Sequence, residues 1–211
     1  MKLKIKMVLI RIFDIILSLI FIILFLPFFL MISIIIFFDN SGPIFFVQKR
    51  VTRNQKLFNF FKFRSMRNSP NSNTGDDEDY LSIDLEELKK IRNKYITTKV
   101  SDSRVTNFGR VLRKTSLDEI PQFFSVLIGD MSMVGPRPDP PIQKADYDPV
   151  IWKKRCKVKS GITGLAQVNG RSSGGSDKRI ENDIYWTENI SILLYFKILI
   201  KTPFVLLENS N

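Results

Sequence analysis

Residues 15–38 read IILSLIFIILFLPFFLMISIIIFF, without one charged side chain. About 20 apolar residues suffice for a helix to cross the hydrocarbon core of a bilayer, so this stretch is a membrane element and decides how the rest of the chain is placed. Pro27 stands near its midpoint, with Ile15–Leu26 before it and Phe28–Phe38 after it. Proline lacks an amide hydrogen and crowds the preceding turn, so a bend is expected there. Each half would be roughly 17–18 Å long, about one leaflet deep. Both flanks are basic: Lys2, Lys4, Lys6 and Arg11 precede the run, and Lys49, Arg50, Arg53, Lys56 and Lys62 follow it. Cytosolic flanks carry the excess of Lys and Arg, and a single pass leaves one basic flank on the wrong side. A re-entrant hairpin over residues 1–40, broken at Pro27, satisfies both; a single-pass anchor with a tolerated proline is the alternative. The run is too long for a removable signal and lacks a small-residue cleavage site. Arg11 and Asp14, one turn apart, either pair near the headgroups or are solvated.

The net charge of +11 over 211 residues implies anionic company: nucleic acid, phospholipid headgroups or a phosphorylated substrate. One cysteine, Cys156, excludes an internal disulfide and a thiolate zinc cage within the chain. Histidine is absent, which excludes Ser-His-Asp and Cys-His machinery. Catalysis must then use Asp, Glu, Lys, Arg, Tyr, Ser or a metal. Carboxylates with a hard, oxygen-liganded cation such as Mg²⁺ lead that set.

After the membrane segment, residues 41–211 form a second unit. PIFFVQKRV (43–51) and LFNFFKFRSM (57–66) flank the polar TRNQK, a pattern that predicts a β-hairpin over 43–66. Alternation places Lys62 and Arg64 on one face, as an anion-binding pair or as a basic surface against lipid headgroups. Residues 68–100 are a polar insertion: NSPNSNTGDDED reads as a flexible loop whose acidic run is solvated. DLEELKKIRNKY (84–95) reads as a surface helix with Glu86 and Lys90 at i,i+4 spacing.

The chemistry gathers in 101–138. RKTSLDEIPQFFSVLIGDMSMVGPRP (113–138) sets Asp118 and Glu119 at the start of an apolar helix. Ser116 and Glu119 match a capping box, although Pro121 favours a helix that begins only there. Free amides and the helix dipole favour acidic residues at such an end, so the pair also fits an ordinary cap. In Gly135-Pro136-Arg137-Pro138 two prolines restrict the backbone around Arg137, and a preorganised guanidinium suits phosphate. SGITGLAQVNGRSSGG (160–175) offers glycines and Arg171, a weak anion-cradle pattern. Asp183, in RIENDIY, reaches the site only if the fold allows. ISILLYFKILIKTPFVLL (190–207) reads as an amphipathic interfacial helix ending near Pro203.

RIFDIILSL, FNFFKFRSM, RVLRKTSLDEIPQFFSVLIGDMSMVGPRP, GITGLAQVNGR and NDIYW, in this order, resemble the small monotopic phosphoglycosyl transferases among the bacterial sugar transferases. The resemblance implies a mostly helical α+β fold with interfacial helices around a cytosolic active site. It implies transfer of sugar-1-phosphate from a UDP-sugar to polyprenyl (undecaprenyl) phosphate, with release of UMP, at the cytosolic face of the inner membrane. Membrane lipids are then partners and nucleic acid is not, and downstream glycosyltransferases would take up the product. Asp118 would be the nucleophile and Glu119 the Mg²⁺ ligand; Lys62, Arg64, Arg113, Arg137 and Arg171 would contact substrate, and Asp183 would support the site. The family's membrane helix breaks at Ser-Pro, whereas this chain has Leu26-Pro27. A non-catalytic, membrane-anchored basic protein, binding anionic lipid or nucleic acid, is the competing expectation, and a phosphatase of polyprenyl phosphates is a second.

Overall fold

The computed structural model of the protein describes residues 3–39, 42–67, 80–94, 104–170 and 175–208. The amino-terminal segment is one helix, α1 (Leu3–Asp39), with Pro27 inside it rather than between two separate helices. One stripe of α1 packs against the rest of the protein. Ile10, Asp14 and Ser18 are buried in its first half, and Ile32 and Ile36 in its second. Phe21 and Phe25, between them, stack on Phe123 with centroids 5.0 and 6.3 Å away. The opposite face has no partner: Ile23 is 71% exposed and Phe38 80%. That long apolar surface is what a bilayer would cover.

Arg11 and Asp14 neither pair with each other nor face solvent. Arg11 donates to the carbonyls of Val126 (2.6 Å) and Leu127 (2.8 Å). Asp14 accepts from the Ser132 hydroxyl (3.0 Å), the Met133 amide (2.9 Å) and the Tyr195 hydroxyl (2.9 Å). Two charged residues are thereby spent on seating the helix.

The expected hairpin is present: β1 (Phe45–Val51) pairs antiparallel with β2 (Leu57–Phe63), Phe45 opposite Phe63 and Val51 opposite Leu57. Its turn includes Asn54 and Gln55 at φ 57° and 59°. β2 stops three residues before Met66, which forms an isolated bridge to Val105. Helix α2 (Leu85–Lys94) follows; Asp84 caps it by accepting from the Glu86 amide at 3.0 Å. Glu86 pairs with Lys89 at 2.9 Å rather than with Lys90. The acidic run of the polar insertion lies outside the described residues.

Helix α3 (Asn107–Thr115) is capped by Thr106, whose hydroxyl accepts from the Gly109 amide at 2.9 Å. Ser116 does not form the expected capping box. It sits at φ 58°, closing α3, and makes no side-chain cap. A short 3-10 turn (Leu117–Glu119) follows, and α4 (Gln122–Ile128) begins just after Pro121. The proline dictates the start, since its missing amide hydrogen is not needed in a first turn.

Two three-residue strands had no alternating pattern to announce them. β3 (Ser132–Val134) runs parallel to β4 (Gly161–Thr163). Between them lie α5 (Pro149–Arg155) and the stretch leading to it. The glycine that opens the Gly-Ile-Thr-Gly segment serves this pairing. A Cβ on Gly135 would lie 2.3 Å from the Lys159 carbonyl oxygen, and one on Gly161 would lie 2.1 Å from the Gly135 amide nitrogen. These glycines let two backbones touch. The chain closes with α6 (Leu165–Val168), α7 (Gly175–Glu188) and α8 (Ile192–Glu208). α8 continues through Pro203 instead of ending there. It buries Tyr195 and Ile198, while Leu193 is 82% exposed on the other side.

The architecture is mostly helical α+β, with a long apolar helix and two small sheets. The main core joins α1, the hairpin, β3 and α8 through Ile10, Phe58, Phe60, Val126, Met133 and Tyr195. A second cluster (Ile32, Phe63, Leu112, Ile120) fixes the 3-10 turn against the far half of α1.

Candidate active site

The 3-10 turn between α3 and α4 presents Asp118 and Glu119 toward β2. Lys62, the penultimate residue of β2, reaches both: its ammonium lies 2.7 Å from Glu119 Oε1 and 3.3 Å from Asp118 Oδ2. Arg137 Nη2 donates to the same Glu119 oxygen at 2.6 Å. Two carboxylates and two cations thus meet where a strand, a tight turn and a proline-stiffened loop converge.

Their environments differ in a way that matters for chemistry. Burial would raise the Glu119 carboxyl, but Arg137 and Lys62 outweigh it and hold it well below the usual range. Asp118 goes the other way. Burial pushes it above the usual carboxylate value, Lys62 opposes that, and the neighbouring Glu119 charge adds to it. The pair is therefore divided into one firmly ionised carboxylate and one more basic carboxylate, a separation common among catalytic acids and nucleophiles. The Glu119 charge in turn raises Arg137 above its ordinary value.

Arg137 is held from behind by a buried ion network. Arg155, 4% exposed, donates through Nη2 to the Arg137 carbonyl. Its Nε pairs with Asp183 (2.9 Å) and its Nη1 with Asp139 (3.1 Å). Arg179 and the Tyr147 hydroxyl (2.7 Å) complete the ring around Asp139. Arg50 donates to the Pro138 carbonyl at 3.2 Å. Among the described residues, Asp183 reaches the site through Arg155 and the loop backbone. Arg155, Asp139 and Arg179 were not legible as site residues. Asp139 directly follows the Gly-Pro-Arg-Pro loop, which is the one local signal available.

Of the remaining expected residues, Arg113 donates from Nε to the Ser65 hydroxyl at 2.8 Å and lies close enough to Asp118 to favour its ionised form. Arg64 is buried, one residue beyond β2, with its amide bonded to the Ile44 carbonyl at 2.9 Å. Arg171 lies outside the described residues. No cluster of three or more acidic or thiol groups suited to a metal is present among the described residues. A cation held by one or two carboxylates, with phosphate oxygens and water completing its shell, matches this donor set; Mg²⁺ binds in that manner.

The profile of the bacterial sugar transferases matches residues 5–209. The UDP-glucose:undecaprenyl-phosphate glucose-1-phosphate transferase of Klebsiella pneumoniae is 40% identical over 208 residues, covering 95% of this chain and 40% of that protein. The UDP-N-acetylgalactosamine-undecaprenyl-phosphate N-acetylgalactosaminephosphotransferase of Aeromonas hydrophila is 36% identical, covering 90% of this chain and 41% of its own length. This chain thus spans about two fifths of those two relatives. It spans 94% of the exopolysaccharide production protein PSS of Rhizobium leguminosarum bv. phaseoli, at 34% identity. With the profile covering nearly its whole length, the chain belongs to the bacterial sugar transferase family.

Proposed function

We propose that this protein transfers sugar-1-phosphate from a UDP-sugar to polyprenyl phosphate at the cytosolic face of the inner membrane, with Asp118 as the nucleophile. The observation that carries this is the split of the carboxylate pair: Lys62 and Arg137 grip Glu119, while Asp118 is buried and more basic. An ionised carboxylate attacks without a base, so a chain lacking histidine has what it needs.

In the first step an Asp118 carboxylate oxygen bonds to the β-phosphorus of the UDP-sugar. The bond from that phosphorus to the bridging oxygen breaks, and UMP leaves with the oxygen. In the second step a phosphate oxygen of the polyprenyl acceptor attacks the same phosphorus, freeing Asp118 and giving a polyprenyl diphosphate sugar. Lys62 and Arg137 lie where charge builds on the transferring phosphoryl group, and Arg113 extends the cationic rim. Mg²⁺ held by Glu119 would neutralise the diphosphate. Names of similar proteins, which specify UDP-glucose or UDP-N-acetylgalactosamine together with undecaprenyl phosphate, support this donor and acceptor class.

The membrane placement we infer keeps both ends of α1 on the cytosolic side. Residues 10 and 36 of α1 both pack on the cytosolic unit, about 39 Å apart along the helix at 1.5 Å per residue. That exceeds the roughly 30 Å hydrocarbon core, so an upright crossing would drag the charged domain into lipid.

Purified protein given UDP-sugars and Mg²⁺ should release UMP and gain the mass of a phosphosugar, and Asp118→Asn should do neither. Full UMP release by that variant would overturn the covalent route. Lys4→Cys and Asp39→Cys should both be labelled by an impermeant maleimide from the cytosolic side. The native Cys156 is buried, its thiol pushed up to about 11, and stays silent. Labelling from opposite sides would make α1 a span.

A further inference from the structure

A cavity of about 320 Å³ opens beside the first turns of α1, at the far end of α4 from the carboxylate pair. Its walls include Val8, Ile12, Val158, Trp186 and Ile190, and three cations, Arg11, Arg53 and Lys159, stand around it. Arg11 is occupied with the last carbonyls of α4. Lys159 and Arg53 are in no salt bridge among the described residues. Asp14 also lines the cavity, but one of its oxygens already accepts from Ser132, Met133 and Tyr195. Asp130 lies beyond, near Lys56 at 3.8 Å. Burial, with Arg11 and Arg53 nearby, lowers Lys159 below its ordinary value, as expected of cations gathered without enough counter-charge.

The cavity mouth carries Val8 and Ile12, 59% and 47% exposed, and continues into the unpartnered face of α1. A site that is cationic at its edge, apolar on its walls and open to the surface a bilayer would cover suits an amphiphile. We propose that this cavity binds the phosphate headgroup of an anionic phospholipid, with an acyl chain along Val8, Ile12 and Ile190. It is not the reacting site. Arg11 caps the carboxyl end of α4 and the carboxylate pair precedes its amino end, so a helix about 10 Å long separates them.

Trp186 supplies the readout, independent of transfer activity. The full chain in nanodiscs is titrated with phosphatidylglycerol or phosphatidylcholine carrying brominated chains, which quench tryptophan on contact. Phosphatidylglycerol should reach half-quenching at a lower mole fraction, and Trp186→Phe should abolish the response. Lys159→Met and Arg53→Gln should each weaken the preference about fivefold, the change expected of one cation near a lipid phosphate. Arg53 is exposed on a turn, so its variant tests the site even if the Lys159 variant fails to fold. Equal quenching by the two lipids, a response that persists without Trp186, or a preference unchanged by Arg53→Gln would overturn the site. Relief of quenching by millimolar inorganic phosphate would reassign it to a free anion.

Discussion

The buried guanidinium of Arg155 donates a hydrogen bond to the backbone carbonyl of Arg137. The side chain that faces the carboxylate pair is thus aimed by a residue that never reaches it. Arg155→Met leaves Asp139 and Asp183 as buried carboxylates short of a partner, and should cost about 3–5 kcal/mol of stability, read by calorimetry. Arg155→Lys keeps the charge but not the planar fork. It should fold, lower kcat about 10²-fold through misplacement of Arg137, and change KM for the UDP-sugar much less.

Lys62→Met should move the acid limb of the pH–rate profile upward. On the proposed route Asp118 attacks as the ionised carboxylate; burial already raises it, and Lys62 is the main influence holding it down. The variant therefore needs a higher pH to reach the same ionised fraction, on top of a lower plateau. An acid limb at unchanged pH would separate Lys62 from Asp118 ionisation.

The Glu119 carboxyl is depressed in the folded protein, so its ion pairs contribute fully above the value of a free glutamate, about 4.3. That contribution is lost only as pH falls through the depressed folded value. The melting-temperature gap between wild type and Glu119→Gln should stay constant between about pH 5 and pH 8 and narrow below about pH 4. A gap that narrows near neutrality would contradict the Lys62–Glu119–Arg137 geometry.

Asp14→Ala strands the Ser132 hydroxyl, the Met133 amide and the Tyr195 hydroxyl inside the protein. With about 1–3 kcal/mol for each unsatisfied group and partial rescue by water, a net loss of about 3 kcal/mol is expected. Denaturant unfolding in detergent measures it.

Gly161→Ala puts a methyl into the backbone of Gly135. Overpacking of this kind costs about 1–3 kcal/mol. Because the clash lies two residues from Arg137, activity should fall together with stability, both read on the same purified variant.

The β-hairpin, α2, α4 and α8 were legible because period and punctuation are local: alternating aromatics, a proline at a helix start, an apolar stripe. Asp118, Glu119, Lys62 and Arg137 were legible as chemistry-bearing types, but their convergence depends on β2 lying against the 3-10 turn, a contact 56 residues apart in sequence. β3 and β4 were not legible, since three-residue strands carry too little pattern and are held by glycine-to-backbone contact. The Arg155 network escaped for a related reason. Buried ion pairs between distant residues look, in sequence, like surface charge. Ser116 misled because a capping-box spacing also occurs where a serine closes the preceding helix in the left-handed region.

Phe21 and Phe25 stack on Phe123, and Arg11 holds the opposite end of the same short helix. Clamped at both ends, α4 has no freedom to slide along α1. Any change in how α1 lies against the lipid is passed on as a rigid rotation of the turn carrying Asp118. The depth at which one helix settles in the membrane then sets the height at which Asp118 and Glu119 stand above it.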